Sequence, residues 1–211
     1  MLMDLELLLE RWNVPVHGVL HLGAHLAEEA EVYHRLGVGP VWWVEANPKV
    51  QAKIQRVLDP YPDQHLIEAL IWDTDDSTPR PFNITNYDGM SSSVLEFGTH
   101  PEFSPDTKYV DTVQLPTRSV DSLVAEHGIE ATLLNMDLQG AEGWAIRGAQ
   151  DFLGDQVTAI MAEVNKAEVY KGCTQVGEFD RLIARRDFQR VETSWVGDQG
   201  WGDCWAVKVP E

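Results

Sequence analysis

Acid and amide side chains stand where apolar runs stop: Glu45 after "VWWV", Asp137 after "LLNM", and Glu163 with Asn165 at the end of "VTAIMAEVN". A carboxylate at a strand end can accept hydrogen bonds from ribose hydroxyls, take a proton from a reacting hydroxyl, or ligate a hard cation. Gly23, in "HLGAHLAEE", closes the first such run 22 residues before Glu45. Glycine at that point lets the backbone turn tightly and come close to a ligand. A glycine-bearing turn followed by an acid at the next strand end is a pattern for a nucleoside cofactor, with Glu45 on the ribose. The same pattern fits a plain strand–helix turn with a surface glutamate. Ala24 and Ala27 stand where pyrophosphate-binding loops carry further glycines, so the GxGxxG fingerprint is not met.

Asp137 is followed by Gln139, Gly140 and Glu142 at the start of a helix pattern, where acids also serve as caps and dipole partners. Asp137, Glu163 and Asn165 together offer oxygen ligands for Mg²⁺, which would acidify a bound hydroxyl; a divalent metal is compatible with this set but not expected. Without a metal, Asp137 or Glu163 serves as the base or orients an acceptor. His25 and His100 are further candidate bases, although a histidine in a turn or loop is commonly just solvated. Lys166 and Tyr170, past the same strand, are placed either to touch an acceptor or to face solvent. Ala69 and Leu70, ending a third apolar run, would flank the cofactor's base, and are also what a strand core requires. Trp42, Trp43, Trp72 and Trp144 are expected to pack the sheet.

These residues need elements to hold them. "MLMDLELLLERW" predicts a leading helix within residues 1–14, about Asp4 to Trp12. "VHGVLHLG" predicts a buried strand ending at Gly23; Leu26, Ala30, Tyr33 and Gly37 follow at helical spacing, with Gly37 as the stop. "PVWWVEA" is a second strand, "KVQAKIQRVL" a helix behind Pro48, and "HLIEALIW" a third strand. Residues 73–106 are rich in Asp, Ser, Thr, Pro, Gly and Asn, with one short strand at "RPFNIT". Residues 87–107 read as a lid loop, because Met90, Val94, Leu95, Phe97 and Phe103 give them apolar contacts to make. An extended run "KYVDTVQLPT" leads to a helix from Ser119 to His127. Next come a strand ending at Asp137 with a helix behind it, the strand "VTAIMAEVN", and the helix "TQVGEFDRLIARR". "FQRVETSWV" and "GDCWAVKV", joined by "GDQGWG", predict a final hairpin. The alternation predicts one α/β domain over residues 1–211. Its Rossmann-like, seven-stranded, mostly parallel sheet has helices on both faces and a C-terminal antiparallel hairpin strand.

The bulk numbers restrict the partners. The 211 residues carry 16 Lys and Arg against 34 Asp and Glu, a formal charge of −18. A field of that sign repels phosphate backbones and anionic bilayers, so neither nucleic acid nor membrane is an expected partner. "DPYP" at Asp59 to Pro62 looks like the Asp-Pro-Pro-Tyr signature of amino-group DNA methyltransferases, but its order and its place after the second helix do not fit. Cys173 and Cys204 form no CxxC pair, which predicts a reducing compartment. There is no secretory pattern and no apolar run near the roughly 18 residues of a membrane span, so the expected location is cytoplasmic.

Several motifs together resemble the FkbM-type methyltransferase family. "HLGAHLAEEAEVY" is similar to its "GANxGE" motif, and "VWWVEANP" to its "EPNP/EANP" pattern. "SSSVL", "LPTRSVDSL", "AEVNKAEVYKG" and the "GWGDCWAVK" ending also match in order, and "LLNMDLQGAEGWAIRGA" resembles "LLKIDVEGAELxVLKGA" most specifically. His21 stands where the family usually has Asp, Ala27 where it has Gly, and Gln139 where Glu is commoner. The resemblance covers about residues 16 to 209. It implies the seven-stranded S-adenosylmethionine-dependent methyltransferase fold, in which the last strand turns back antiparallel. It also implies O-methylation of a hydroxyl on a sugar or other small metabolite. In that reading Gly23, Ala24, His25, Glu45, Ala46, Asn47, Ala69, Leu70 and Asp137 bind S-adenosylmethionine. Ser92, Gln139, Asn165 and Lys166 meet the acceptor, and Asp137 and Glu163 are catalytic. A nicotinamide-dependent oxidoreductase and a non-catalytic nucleoside-cofactor-binding protein are the alternatives from other classes.

Overall fold

The computed structural model describes residues 2–209; residue 1 and residues 210–211 of the expected domain lie outside them. Uninterrupted apolar runs set the centre of the sheet. β1 (Val19–Leu22) and β7 (Leu133–Met136) are buried at every position, as is β8 (Ala159–Asn165), because helices cover them on both faces. β2 (Val41–Glu45) and β3 (Gln64–Glu68) extend the sheet on one side, and β9 (Phe188–Trp195) and β10 (Trp201–Lys208) on the other. The order is β3-β2-β1-β7-β8-β10-β9, parallel except for β10, which runs antiparallel to both its neighbours. Chain direction therefore diverges from β1, toward β2 on one side and β7 on the other.

Two apolar cores sandwich this sheet. On one face α1 (Leu5–Trp12), α2 (Ala30–Leu36) and α3 (Gln51–Leu58) bury Leu5, Leu8, Tyr33, Ile54 and Leu58 against Trp43 and Trp205. On the other, α5 (Val120–His127), α6 (Glu142–Arg147), α7 (Gln150–Asp155) and α8 (Val176–Ala184) bury Leu123, Ile146, Phe152, Phe179 and Ile183. Local chemistry sets the helix ends. The Asp4 and Ser119 side chains accept N–H bonds from the first turns of α1 and α5, and Gly37 and Gly128 take left-handed backbone to stop α2 and α5. Trp42 and Trp43 pack into the two cores, and Trp72 and Trp144 stack on each other at 4.6 Å.

Four expectations need correction. "HLIEALIW" is not one strand: β3 stops at Glu68, and β4 (Leu70–Ile71) joins a separate three-stranded sheet ordered β4-β6-β5. The short strand "RPFNIT" is the end of a ten-residue β5 (Asp76–Thr85), paired antiparallel with the equally long β6 (Tyr109–Arg118). The helix behind Gly23 starts only at Ala30; residues 24–29 form turns, with positive φ at His25 and Ala27. The helix expected after Asp137 is interrupted by Gly148 and Ala149 between α6 and α7.

The loop between β5 and β6 contains a turn at Tyr87–Gly89 and the short α4 (His100–Phe103), and it is stitched down along its length. Ser93 exchanges backbone bonds with Asn83 at 2.9 and 3.1 Å, and its hydroxyl donates to the Gln139 carbonyl at 2.9 Å. Gly98 N–H donates to the Val169 carbonyl, and Phe97 stacks between Tyr109 and His100. No helix among the described residues is long and apolar enough to cross a membrane.

Gly23 is the tightest point of this frame. Its φ is +86°, and a Cβ there would lie 1.9 Å from the Asp137 carbonyl oxygen. Gly23→Ala is expected to destabilise the fold by about 2 kcal/mol or more, read as a lower urea midpoint, since both the backbone strain and the overlap must be relieved.

Candidate active site

Strand ends on either side of β1 meet in one cleft, as the reversal of chain order requires. Gly23 N–H and Ala24 N–H both donate to the Val44 carbonyl, at 2.9 and 3.0 Å, and Asp137 N–H donates to the Leu22 carbonyl. These bonds set Gly23, Glu45 and Asp137 level with one another. The left-handed backbone at His25 turns its N–H onto Glu45 Oε2 at 2.8 Å, while Asn47 N–H donates to Glu45 Oε1 at 2.7 Å. A single carboxylate thus fastens the turn after β1 to the end of β2. Burial raises the Glu45 pKa, and the two backbone bonds oppose that rise. A carboxylate has about four acceptor sites, so both oxygens keep capacity for a ligand.

Glu45, Ala46 and Gly23 line a cavity with about 600 Å³ of empty space. Ala69, Leu70 and Ile71 give it an apolar wall, Phe82 from β5 and Val94 from the loop pack with Leu70 beside it, and Ser92 and Gln139 also line it. His25 reaches this cavity too. Its Nδ1 pairs with Glu28 Oε1 at 2.7 Å, which raises its pKa, and its buried Nε2 has no partner in the protein.

A second cavity, of about 770 Å³, lies beside Glu163, Asp203, Gln139, Tyr170 and His100. A third runs under Ala24, His25 and Glu28 toward His21 and Asn135. Asp137 and Met90 line all three. The Gln139 amide joins the acids: Nε2 donates to Asp137 Oδ1 at 2.5 Å and, more weakly, to Glu163 Oε2 at 3.3 Å, while Oε1 accepts from the Tyr170 hydroxyl at 2.5 Å. Burial lifts Glu163 well above the usual carboxylate range, and the charges of Asp137 and Glu142 add to it. Asp137 moves the same way, but it is open to water through the cleft, which damps the effect. His21, in the position usual for Asp, is buried and stacked on Trp43 at 4.5 Å, and burial lowers its pKa to about 4.

Gly23, His25, Glu45, Ala46, Ala69, Leu70 and Asp137 are therefore brought around one cavity, with Ala24 at the adjoining one. Asn47 lies behind the wall, its Oδ1 accepting from Lys49 N–H. Asn165 is fully buried behind Glu163, and Lys166 is exposed with Nζ over the Trp195 ring; neither lines a cavity described here. Among the described residues no cluster of three or more His, Cys, Asp and Glu is disposed to hold a metal. Phe82, Met90 and Asp203 line the cleft without having been singled out in the sequence. Asp203 was within reach, since pairing the terminal hairpin back onto "AEVN" sets it opposite Glu163.

The FkbM methyltransferase domain matches residues 21–190. The chain belongs to the FkbM methyltransferase family. A methyltransferase FkbM from Methylobacillus flagellatus KT shares the fold with a TM-score of 0.59 and 16% identity, over 90% of this chain and 43% of that one. This chain thus spans less than half the length of that relative. A ribosomal protein L11 methylase from Lactobacillus delbrueckii subsp. bulgaricus superposes with a TM-score of 0.54 at 12% identity, over 96% of this chain and 75% of its own. The N-terminal domain of EvdMO1, solved with SAH bound, gives 0.52 at 7% identity, over 96% and 78%. At such identities the likeness is one of fold. No curated protein matches the chain.

Glu142 gives the FkbM cleft a measurable pH signature. Its Oε1 accepts from Leu138 and Gly140 N–H at 2.9 and 3.2 Å, holding the turn that presents Gln139, while Oε2 is buried without a partner. Burial, with the Asp137 charge behind it, raises its pKa from 4.5 to about 7. A carboxyl raised on folding contributes stability that is complete below its unfolded pKa and is lost as pH rises through the folded one. Glu142→Gln, neutral throughout, is expected to match the wild type near pH 4.5 and to melt a few degrees higher at pH 8.5, measured by calorimetry across that range.

Proposed function

We propose that the chain is an S-adenosylmethionine-dependent methyltransferase acting on a hydroxyl of a sugar or other small metabolite. The observation that carries this reading is a pair of cavities that share Met90, Asp137 and Gln139 in their linings: one has an apolar wall and a ribose-type acid, the other a set of acids and aromatic rings. The residues fit the cofactor. Glu45 would take the ribose hydroxyls on the lone pairs that its two backbone bonds leave open, while Leu70 and Phe82 would cover the base. Gly23, bare of a side chain, lets the chain pass directly against the Asp137 carbonyl, and the buried Nε2 of His25 has no partner in the protein. The bound cofactor supplies a methyl group already activated on a sulfonium.

The remaining work belongs to the chain. The acceptor oxygen must be held about 3 Å from the methyl carbon and in line with the sulfur. Met90 and Asp137 border that junction. The oxygen gains the methyl carbon, the carbon–sulfur bond breaks with its electron pair left on sulfur, and the hydroxyl proton passes to a carboxylate. Glu163 lines that space and is placed to accept it, and Asp137 with Gln139 orients the acceptor. The reading of hydroxyl over amine follows the family resemblance, and the small-molecule acceptor agrees with the acidic charge.

Isothermal titration is expected to show S-adenosylmethionine and S-adenosylhomocysteine binding, with Glu45→Ala weakening both about tenfold or more. Unchanged affinity in a variant that still melts cooperatively would remove Glu45 from the ribose.

A further inference from the structure

The loop between β5 and β6 is packed unevenly. Val94 joins the apolar core of the small sheet, and Leu95, Phe97 and Phe103 pack about Tyr170. Met90 joins neither group and is 62% exposed, yet it lines all three cavities of the cleft. A lone apolar side chain in solvent is ordinary on a protein surface. One that borders three cavities at once is not, because a ligand held in any of them lies beside it.

The backbone beneath Met90 is strained. Tyr87, Asp88 and Gly89 take φ of +56°, +58° and +85° in succession, a left-handed run that only the glycine adopts freely. The chain is fixed on both sides of this run. Before it, Asn86 N–H donates to the Lys108 carbonyl at 3.0 Å, and Asn86 Oδ1 accepts from Lys108 N–H at 2.9 Å. After it, Ser91 N–H donates to Thr85 Oγ1 at 3.3 Å, and Ser92 Oγ accepts from Thr85 N–H at 3.1 Å. The turn itself is clasped to α3, where Lys53 Nζ donates to Asp88 Oδ1 at 2.6 Å. Gly89 lies so close to Asn47 that a Cβ there would come 2.4 Å from Nδ2. Asn47 N–H also donates to Glu45, so the turn that carries Met90 rests on the end of β2. Strain of this kind persists only where the surroundings hold it, and it collects at ligand clamps.

We infer that Met90 is a cap on the cleft: its side chain folds out of solvent onto a nucleoside cofactor held beside Glu45, and keeps water from the space that Asp137 borders. Folded down, it gains apolar burial that its exposed position lacks. Methionine suits the task, since its unbranched, polarizable chain conforms to irregular surfaces. The clasped turn gives it a fixed base, so the side chain moves while the backbone stays. Excluding water strengthens every electrostatic contact at a reacting centre. The inference rests on the cofactor reading of the cavity beside Glu45, and adds to that reading a residue that shields the site and makes no bond.

The test follows Met90 directly in the full chain. Its methionines are labelled with carbon-13 at the methyl, and the Met90 signal is assigned by its loss in Met90→Leu. Relaxation by a soluble gadolinium chelate then reports how open each methyl is to solvent. It is read before and after saturation with S-adenosylhomocysteine, which carries no methyl to transfer. The enhancement at Met90 is expected to fall at least about threefold on binding. Met136 and Met161, 0% and 1% exposed, are the protected references. In stopped flow, Met90→Ala is expected to speed S-adenosylhomocysteine release at least about threefold, while Met90→Leu stays below that. Met90 lies at the surface, so neither substitution threatens the fold. A Met90 methyl still open to the chelate in the saturated complex, or release from Met90→Ala less than about threefold faster, overturns the cap and leaves the cofactor reading standing. No binding of S-adenosylhomocysteine at all sinks both.

Discussion

At Gly23 the chain comes so close to the Asp137 carbonyl that no side chain can stand between them. That approach brings the ends of β1 and β7 together, and the positions of the catalytic candidates follow from it. With Gly23 bonded to Val44 and Asp137 bonded to Leu22, three strand ends share one level. Glu45 then fastens the following turn through two backbone N–H groups, and the same carboxylate faces the cavity. One residue thus both holds the turn and lines the cavity, so a change at Glu45 is felt by both.

The cleft is built at some cost to the fold. Glu45, Glu142, Glu163 and Asp203 are acids held in surroundings that disfavour their charge, and little nearby cationic side-chain charge compensates them. Elsewhere the acidic surplus is handled in the ordinary way: Lys49 pairs with Asp111, Lys53 with Asp88, and Arg190 holds Asp180 in a two-pronged contact. Those pairs lie at the surface, where they add little. Groups with displaced protonation cluster at functional sites, and these four are gathered about the cleft.

Much of this was legible in the chain before any coordinates. Runs such as "VLHL", "LLNM" and "AIMAEVN" are too apolar and too short to be anything but covered strands, and the glycine-rich turn before "WGDCWAVK" announces the closing hairpin. Glu45 and Asp137 could be found because each sits where such a run ends. The second sheet could not be found so easily. "HLIEALIW" is continuous in hydrophobicity, so nothing in it marks the point after Glu68 where the chain leaves one sheet for another. β5 carries Pro79 and Pro81 and is largely exposed, and its partner lies beyond the whole intervening loop, so neither its length nor its pairing leaves a local trace. Phe82 and Met90 were hidden with it. Asn165 and Lys166 show the converse: Asn165 shares Glu163's strand face but is fully buried against it, and Lys166, past the strand end, is turned onto Trp195.

The small sheet divides the cleft between two builders. Everything that faces Glu45 from the main sheet is held by neighbouring strands, whereas Phe82, Met90 and Val94 come from a hairpin and its long connecting loop, held to the rest by β4 and by bonds along the loop. Lengthening such a connection adds little entropy, because closure grows only slowly with loop size. Changes in the hairpin and its loop therefore reshape both cavities, since Phe82 and Val94 line the one beside Glu45 while His100 and Phe103 line the other, and leave the central strands untouched. Diversification of chemistry in such a lineage would be read first in residues 76–118, long before the central strands change.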